Sequence, residues 1–166
     1  MLMPKFMLPN VYALTDAFLE AQKIGGIIFD IDNTLVGFRE PRPTPEVLAL
    51  LDHLKEKGIR VAIASNNKEE RVKVFAEGLG ISAYHRSAKP LGFVLGKIRK
   101  EFGLPAKQIA LVGDQIYTDM LGGNLAGMIT VLVDPIDTKE TRLFRFKRRM
   151  EMPIINRKRR KDEKKK

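Results

Sequence analysis

Four short apolar runs constrain what this chain can fold into: "GIIFDI" from Gly26, "IRVAIAS" from Ile59, "QIALVGD" from Gln108 and "MITVLVD" from Met128. None alternates apolar with polar residues. A strand with one wet face must alternate, so these runs belong to strands covered on both sides, as in a parallel sheet between layers of helices. The segments between them carry helix signals. Asn10 can cap a helix over 11–23, with Gly25 just past its end. Thr44-Pro45 opens a helix that runs to about Lys57 and stops at Gly58. Asn67 with Glu70 resembles a capping box, for a helix ending near Gly80. Pro90 opens another, to Gly103, and Tyr117–Ala126 makes a short one. A short strand is expected over 82–85. The order β-α-β-α-β-α-β-α-β predicts an α/β fold: a three-layer, Rossmann-like parallel sheet with helices on both faces.

Composition narrows the setting. The 166 residues include no cysteine, which removes disulfides and thiolate-bound zinc and suits the cytoplasm. No apolar run approaches the ~20 residues of a spanning helix. The opening "MLMPKFMLPN" is broken by prolines and lacks the apolar core of a signal peptide. Arg142–Lys166 holds 13 Lys/Arg against 3 Asp/Glu, so it carries the whole net charge of +10 and the remainder is neutral. Residues 1–137 are therefore expected to form the domain. Residues 138–166 are expected to form a basic helix to about Met150 and then a disordered "RKRRKDEKKK". Asp137 and Glu140 would cap that helix; Leu143, Phe146 and Met150 would share one side of it.

The first apolar run ends in two acids, Asp30 and Asp32. Burying a carboxylate is costly unless it is paired or bound to metal. Sites in open parallel sheets form at the carboxyl ends of the strands. Ser65 closes the second run, Lys89 precedes the "KPLGF" segment, Asp114 closes the third run, and Asp119 follows within about a turn. Four carboxylates, a hydroxyl and a lysine suit a Mg²⁺-dependent phosphoryl site, because Mg²⁺ takes hard oxygen ligands and lysine neutralises phosphoryl oxygens. His53 and His85 read as ordinary surface or partner-satisfied histidines.

"DIDNTL", "ASNN", "AKP" and "GDQIYTD", in that order, resemble the four motifs of the haloacid dehalogenase (HAD) superfamily of phosphatases. The resemblance covers roughly 26–134. It implies that Asp30 is the nucleophile that forms an aspartyl-phosphate and that Asp32 is the general acid/base. It further implies that Ser65 and Asn66 bind phosphate with Lys89. Mg²⁺ would be held by Asp30, Asp114, Asp119 and the backbone carbonyl of Asp32. No segment is long enough for an inserted cap domain, so the HAD-like fold should be capless and its site open.

The "DxDNT", "SNN" and "GDQxxTD" variants are similar to the bacterial YqeG-like group of subclass IIIA, itself similar to the mitochondrial phosphatidylglycerophosphate phosphatases. The implied substrate is phosphatidylglycerophosphate, an anionic phospholipid. Membrane contact is then expected through Leu2, Met3, Phe6, Met7 and Leu8 and through the basic tail, peripherally at the inner face of the membrane. Two rivals stand beside this reading. One is a soluble phosphatase of sugar phosphates, nucleotides or nucleic-acid ends. The other is an RNA- or ribosome-associated protein that uses the tail, with Phe144 and Phe146 among its arginines.

Overall fold

The computed structural model describes residues 1–137 and 142–164, the side chains of Leu143 and Phe144 apart. The expected caps Asp137 and Glu140 bear on a helix start that lies outside the described residues. Six strands run in chain order: β1 (Phe6–Leu8), β2 (Gly26–Phe29), β3 (Arg60–Ala64), β4 (Ser82–Tyr84), β5 (Ile109–Gly113) and β6 (Ile129–Val133). They form one parallel sheet in the order β1-β6-β5-β2-β3-β4. The helices are α1 (Asp16–Ala21), α2 (Pro45–Glu56), α3 (Glu69–Ala76), α4 (Phe93–Phe102), α5 (Leu121–Leu125) and α6 (Arg142–Glu163).

Each central strand divides its side chains between two cores. Ile27 and Phe29 of β2, Val61 and Ile63 of β3, and Ala110 and Val112 of β5 pack with α1, α2 and α3. Ile28, Ala62, Ala64, Ile109 and Leu111 pack with Leu95, Ile98 and Phe102 of α4. Burial on both faces removes the need for polar alternation, and that accounts for the apolar runs. From β2 the chain winds outward through β3 and β4, then crosses back to lay β5 on the other side of β2. This reversal places the carboxyl ends of β2 and β5 side by side, at the crevice where open α/β sheets bind ligands. Only α2 separates β2 from β3, and only α3 separates β3 from β4, so the fold is capless.

Several local expectations change. The helix expected over 11–23 is a 3₁₀ turn, Val11–Ala13, followed by α1. Asn10 caps the turn by accepting from Tyr12 N, while extended Thr15 starts α1 by accepting from Phe18 N at 3.2 Å. The helix after Pro90 begins three residues later, at Phe93. Residues 116–125 are a π-helical turn, Ile116–Met120, leading into α5. The N-terminal apolars expected to dip into a membrane belong largely to the body. Phe6, Met7 and Leu8 pair with Val131, Leu132 and Val133 as the edge strand β1. Phe6 also stacks edge-to-face on Phe18, and Leu2 and Met7 pack around Leu132 and Ile155.

The largest change is at the C-terminus. In place of a helix ending near Met150 and a disordered tail, α6 continues through Pro153 to Glu163. Its Ile155 is buried against Ile116, Met120 and Leu132. No helix of the described residues is long and apolar enough to cross a membrane.

Candidate active site

Asp30 leaves β2 with its N–H donating to Val112 O of β5 at 3.0 Å, so the two central strands hold it at the switch point. Asp114 leaves β5 beside it. Asp119 is returned to the same spot by the π-helical turn, where its Oδ2 accepts from Gln115 N at 3.2 Å. One carboxylate oxygen from each of Asp30, Asp114 and Asp119 lies within 4.8 Å of the others. Gly113 makes room for this approach: a Cβ there would lie 2.3 Å from Asp119 Cγ. Gly113→Ala is expected to push Asp119 away and cut kcat by about 10–100-fold, with a circular dichroism spectrum that still reports a folded α/β protein.

Lys89 binds this cluster together. Its Nζ lies 2.9 Å from Asp30 Oδ1 and 2.6 Å from Asp119 Oδ1, and donates to Ala64 O at 2.6 Å. Burial works against its charge, but Asp119 and Asp30 outweigh that and hold its pKa above the ordinary lysine value. One lysine does not neutralise three buried acids. Burial pushes Asp30 up to about 7, opposed by Lys89 and assisted by Asp119 and Asp32. Burial, then Asp119 and Asp30, raise Asp114 well above the usual carboxylate range, with Arg148 opposing. Both Asp114 side-chain oxygens are buried with no hydrogen-bond partner among the described residues. Such orphaned oxygens beside two further carboxylates fit a hard divalent cation, which would let all three ionise.

Ser65 directly follows β3 in the same crevice. Its N–H donates to Tyr84 O at 2.9 Å, and its Oγ accepts from Asn67 N at 3.1 Å. The hydroxyl proton remains available to a phosphoryl oxygen. Asn66, also expected at the phosphate, lines the same crevice, and its side chain holds the Lys89 loop. Its Oδ1 accepts from Lys89 N and Ser87 Oγ, and its Nδ2 donates to Lys89 O. That loop carries Arg86 and Ala88 at φ +43° and +52°, a conformation that needs outside support in residues other than glycine.

Asp32 stands apart from the acid cluster and has partners of its own. Arg71 of α3 donates to Asp32 Oδ1 from Nε at 3.2 Å and from Nη2 at 3.0 Å, while Asn67 Nδ2 donates to Oδ2 at 2.9 Å. The expected capping box is not made. Lys68 is the N-cap of α3 without a side-chain cap bond; Asn67, one residue earlier, donates from Nδ2 to Asp32 and accepts at Oδ1 from Lys68 N at 2.7 Å. Sequence reasoning missed Arg71, for a helical arginine carries no local signal. The signal at Gly113 was legible, since an isolated glycine inside a strand marks a close approach.

Asp30, Asp32, Ser65 and Lys89 line a cleft of about 310 Å³, together with Phe38 and, from α6, Lys147. The helix is fastened there. Glu151, 2% exposed, accepts from Ile116 N at 2.8 Å and Tyr117 N at 3.4 Å. Arg148 Nη1 donates to Asp114 O at 2.5 Å. The site expected to be open thus has a wall built by the basic helix. His53 pairs with Asp16 at 2.7 Å and His85 lies 3.9 Å from Glu69, both away from the cleft.

A parallel α/β sheet with a lysine-bridged acid cluster at its switch point defines a hydrolase of the phosphoryl-transfer type. A family model for haloacid dehalogenase-like hydrolases matches residues 37–127. The Bacillus subtilis protein named "Probable phosphatase YqeG" is 38% identical over 160 residues, 93% of each chain. The chain belongs to the haloacid dehalogenase-like hydrolases, and it is a phosphatase of that superfamily. The Arabidopsis thaliana "Phosphatidylglycerophosphate phosphatase 1, chloroplastic/mitochondrial" is 28% identical over 169 residues, which cover 92% of this chain and 48% of that protein. This chain thus spans about half of the plant relative. The deoxy-D-mannose-octulosonate 8-phosphate phosphatase of Haemophilus influenzae, in a cobalt-bound form, shares the fold at TM-score 0.56 and 18% identity, over 69% of this chain and 80% of that one.

Proposed function

We propose that the protein is a Mg²⁺-dependent phosphomonoester hydrolase that converts phosphatidylglycerophosphate to phosphatidylglycerol. The observation that carries the chemistry is the fastening of Asp30, through Lys89, to a buried acid cluster. Asp30 attacks phosphorus as nucleophile, and the alcohol leaves with a proton from Asp32. Water then attacks the aspartyl-phosphate, gives its proton to Asp32, and releases inorganic phosphate and free Asp30. Ser65 holds a phosphoryl oxygen through the in-line transfer, and the Lys89 ammonium balances charge between Asp30 and the phosphate. Asp30, Asp114 and Asp119 would hold Mg²⁺, with the Asp32 carbonyl as a further ligand; the ion supplies charge neutralisation for the acids and the phosphoryl group. Arg71 and Asn67 orient the Asp32 carboxylate.

The relatives support the lipid substrate. Besides the plant protein, the Chlamydomonas reinhardtii "Phosphatidylglycerophosphate phosphatase 1, chloroplastic" is 32% identical over 148 residues, 54% of its length. The setting of the site agrees. Phe38 in the cleft is exposed, as are Leu91 and Phe93 just past Lys89 and Phe146 next to Lys147. Apolar side chains beside a basic helix suit the surface of an anionic bilayer, which supports a peripheral site of action at a membrane face. The RNA reading loses ground, since α6 is engaged with the phosphatase body through Glu151 and Ile155.

The deciding assay measures phosphate release from vesicles containing phosphatidylglycerophosphate against a panel of soluble phosphoesters. Preference for the vesicles by at least about tenfold in kcat/KM is expected. Strong turnover of sugar phosphates or nucleotides with none from vesicles would sink the lipid substrate and favour the soluble phosphatase.

A further inference from the structure

We propose that α6 is a cover carried in the same chain, and that Lys147 on it reads a second anionic group of the substrate beside the phosphoryl group being cleaved. The proposal rests on the phosphatase reading of the cleft.

The position of Lys147 follows from how α6 is held. Glu151 is locked onto the N–H groups of Ile116 and Tyr117, Arg148 onto the carbonyl of Asp114, and Ile155 into the apolar cluster around Leu132. Residues 147, 151 and 155 are successive members of one i, i+4 row. Anchoring Glu151 and Ile155 therefore turns Lys147 toward the same side one turn earlier, and Lys147 lines the cleft with Asp30, Asp32 and Ser65.

The two lysines of the cleft differ in their commitments. Lys89 is buried and spent on Asp30, Asp119 and the carbonyl of Ala64. Lys147 is exposed and has no ion pair or hydrogen bond among the described residues. Ser65 faces the transferred phosphoryl group from the end of β3. A free ammonium on the opposite wall is a point charge for another anion. The cleft, at about 310 Å³, is roughly ten times the ~30 Å³ share of a water molecule. That leaves space beside one phosphoryl group. The ligand class is a phosphomonoester with a second phosphate, a phosphodiester in the proposed lipid.

The test uses soluble substrates so that membrane binding does not enter. Wild type, Lys147→Met and Lys147→Arg are compared on glycerol phosphate, on glycerol bisphosphate and on the deacylated headgroup glycerophosphoglycerol phosphate. Wild type should favour the substrates with a second anion by about tenfold in kcat/KM, the size of one exposed charge-assisted hydrogen bond. That ratio should collapse in Lys147→Met through KM, and Lys147→Arg should restore most of it. Equal losses on all three substrates would assign Lys147 to the transferred phosphoryl group and overturn the proposal. No loss on any would make it a bystander and overturn it as well. Selectivity for glycerol bisphosphate that depends on Lys147, with no turnover of headgroup or vesicles, would remove the lipid substrate and leave the second-anion site standing.

Discussion

Asp30→Asn is expected to abolish phosphatase activity, by on the order of 10⁴-fold or more in kcat, in a protein that stays folded. An amide of the same shape fills the same space at the end of β2, so packing between β2 and β5 is kept. What goes is the nucleophilic oxygen. The change also removes one of three acids whose oxygens lie within 4.8 Å of each other, so it relieves repulsion rather than creating a cavity. Lys89 keeps Asp119 at 2.6 Å as a partner for its buried charge. The measurement is single-turnover phosphate release beside a thermal melt. Turnover near wild type would refute the assignment of Asp30, whatever the substrate.

The second large effect concerns the metal. Wild type should melt higher with Mg²⁺ than in chelator. Ligand at about 100 times its Kd adds roughly 2.7 kcal/mol, which for a chain of this size is about 5–10 °C. Asp114→Asn should lose most of that shift and most of the Mg²⁺-stimulated activity, since it removes an anionic oxygen ligand. Without metal it should melt no lower than wild type, because the Asp114 carboxylate is buried without a hydrogen-bond partner among the described residues. The pH dependence has a definite sign. Folding raises Asp30 from 3.8 to about 7 and Asp114 well above 3.8. A carboxyl raised by folding is better protonated in the native state, so its contribution is complete below 3.8 and is lost as pH climbs to the folded value. Metal-free protein should therefore lose stability between about pH 4 and about pH 7, and Mg²⁺ should flatten that loss. A melting temperature indifferent to Mg²⁺ at every pH would rule out the acid cluster as its site.

Much of the site was legible because its residues are marked by position. Asp30, Ser65 and Asp114 each follow an apolar run directly, and Lys89 and Asp119 sit in short segments with polar signals of their own. The structure places Asp30, Asp114, Asp119 and Lys89 in one cluster and Ser65 on the cleft above it. The supporting residues were not legible. Arg71 belongs to an ordinary amphipathic helix until α3 is packed beside Asp32, 39 positions away in sequence. Asn67 carries a cap signal, but α3 starts one residue later, with Lys68 at the cap; Asn67 Oδ1 accepts from Lys68 N while its Nδ2 holds Asp32, a role no local pattern shows. Glu151 reads as one acid in a basic tail, but it meets the N–H groups of Ile116 and Tyr117, 35 and 34 positions earlier.

By itself, then, the sequence determined the parallel sheet and the acids at its carboxyl ends. Both depend on patterns a few residues long, the absence of alternation in buried strands and the polar residue that ends each run. Tertiary structure alone decided three things: that Phe6–Leu8 is an edge strand, that Asn67 serves Asp32, and that the basic C-terminal segment is a helix walling the cleft with Lys147. The stabilising partners in these cases lie 35 to more than 100 residues away. No local propensity encodes such contacts; they exist only once the sheet has brought both partners to the same place.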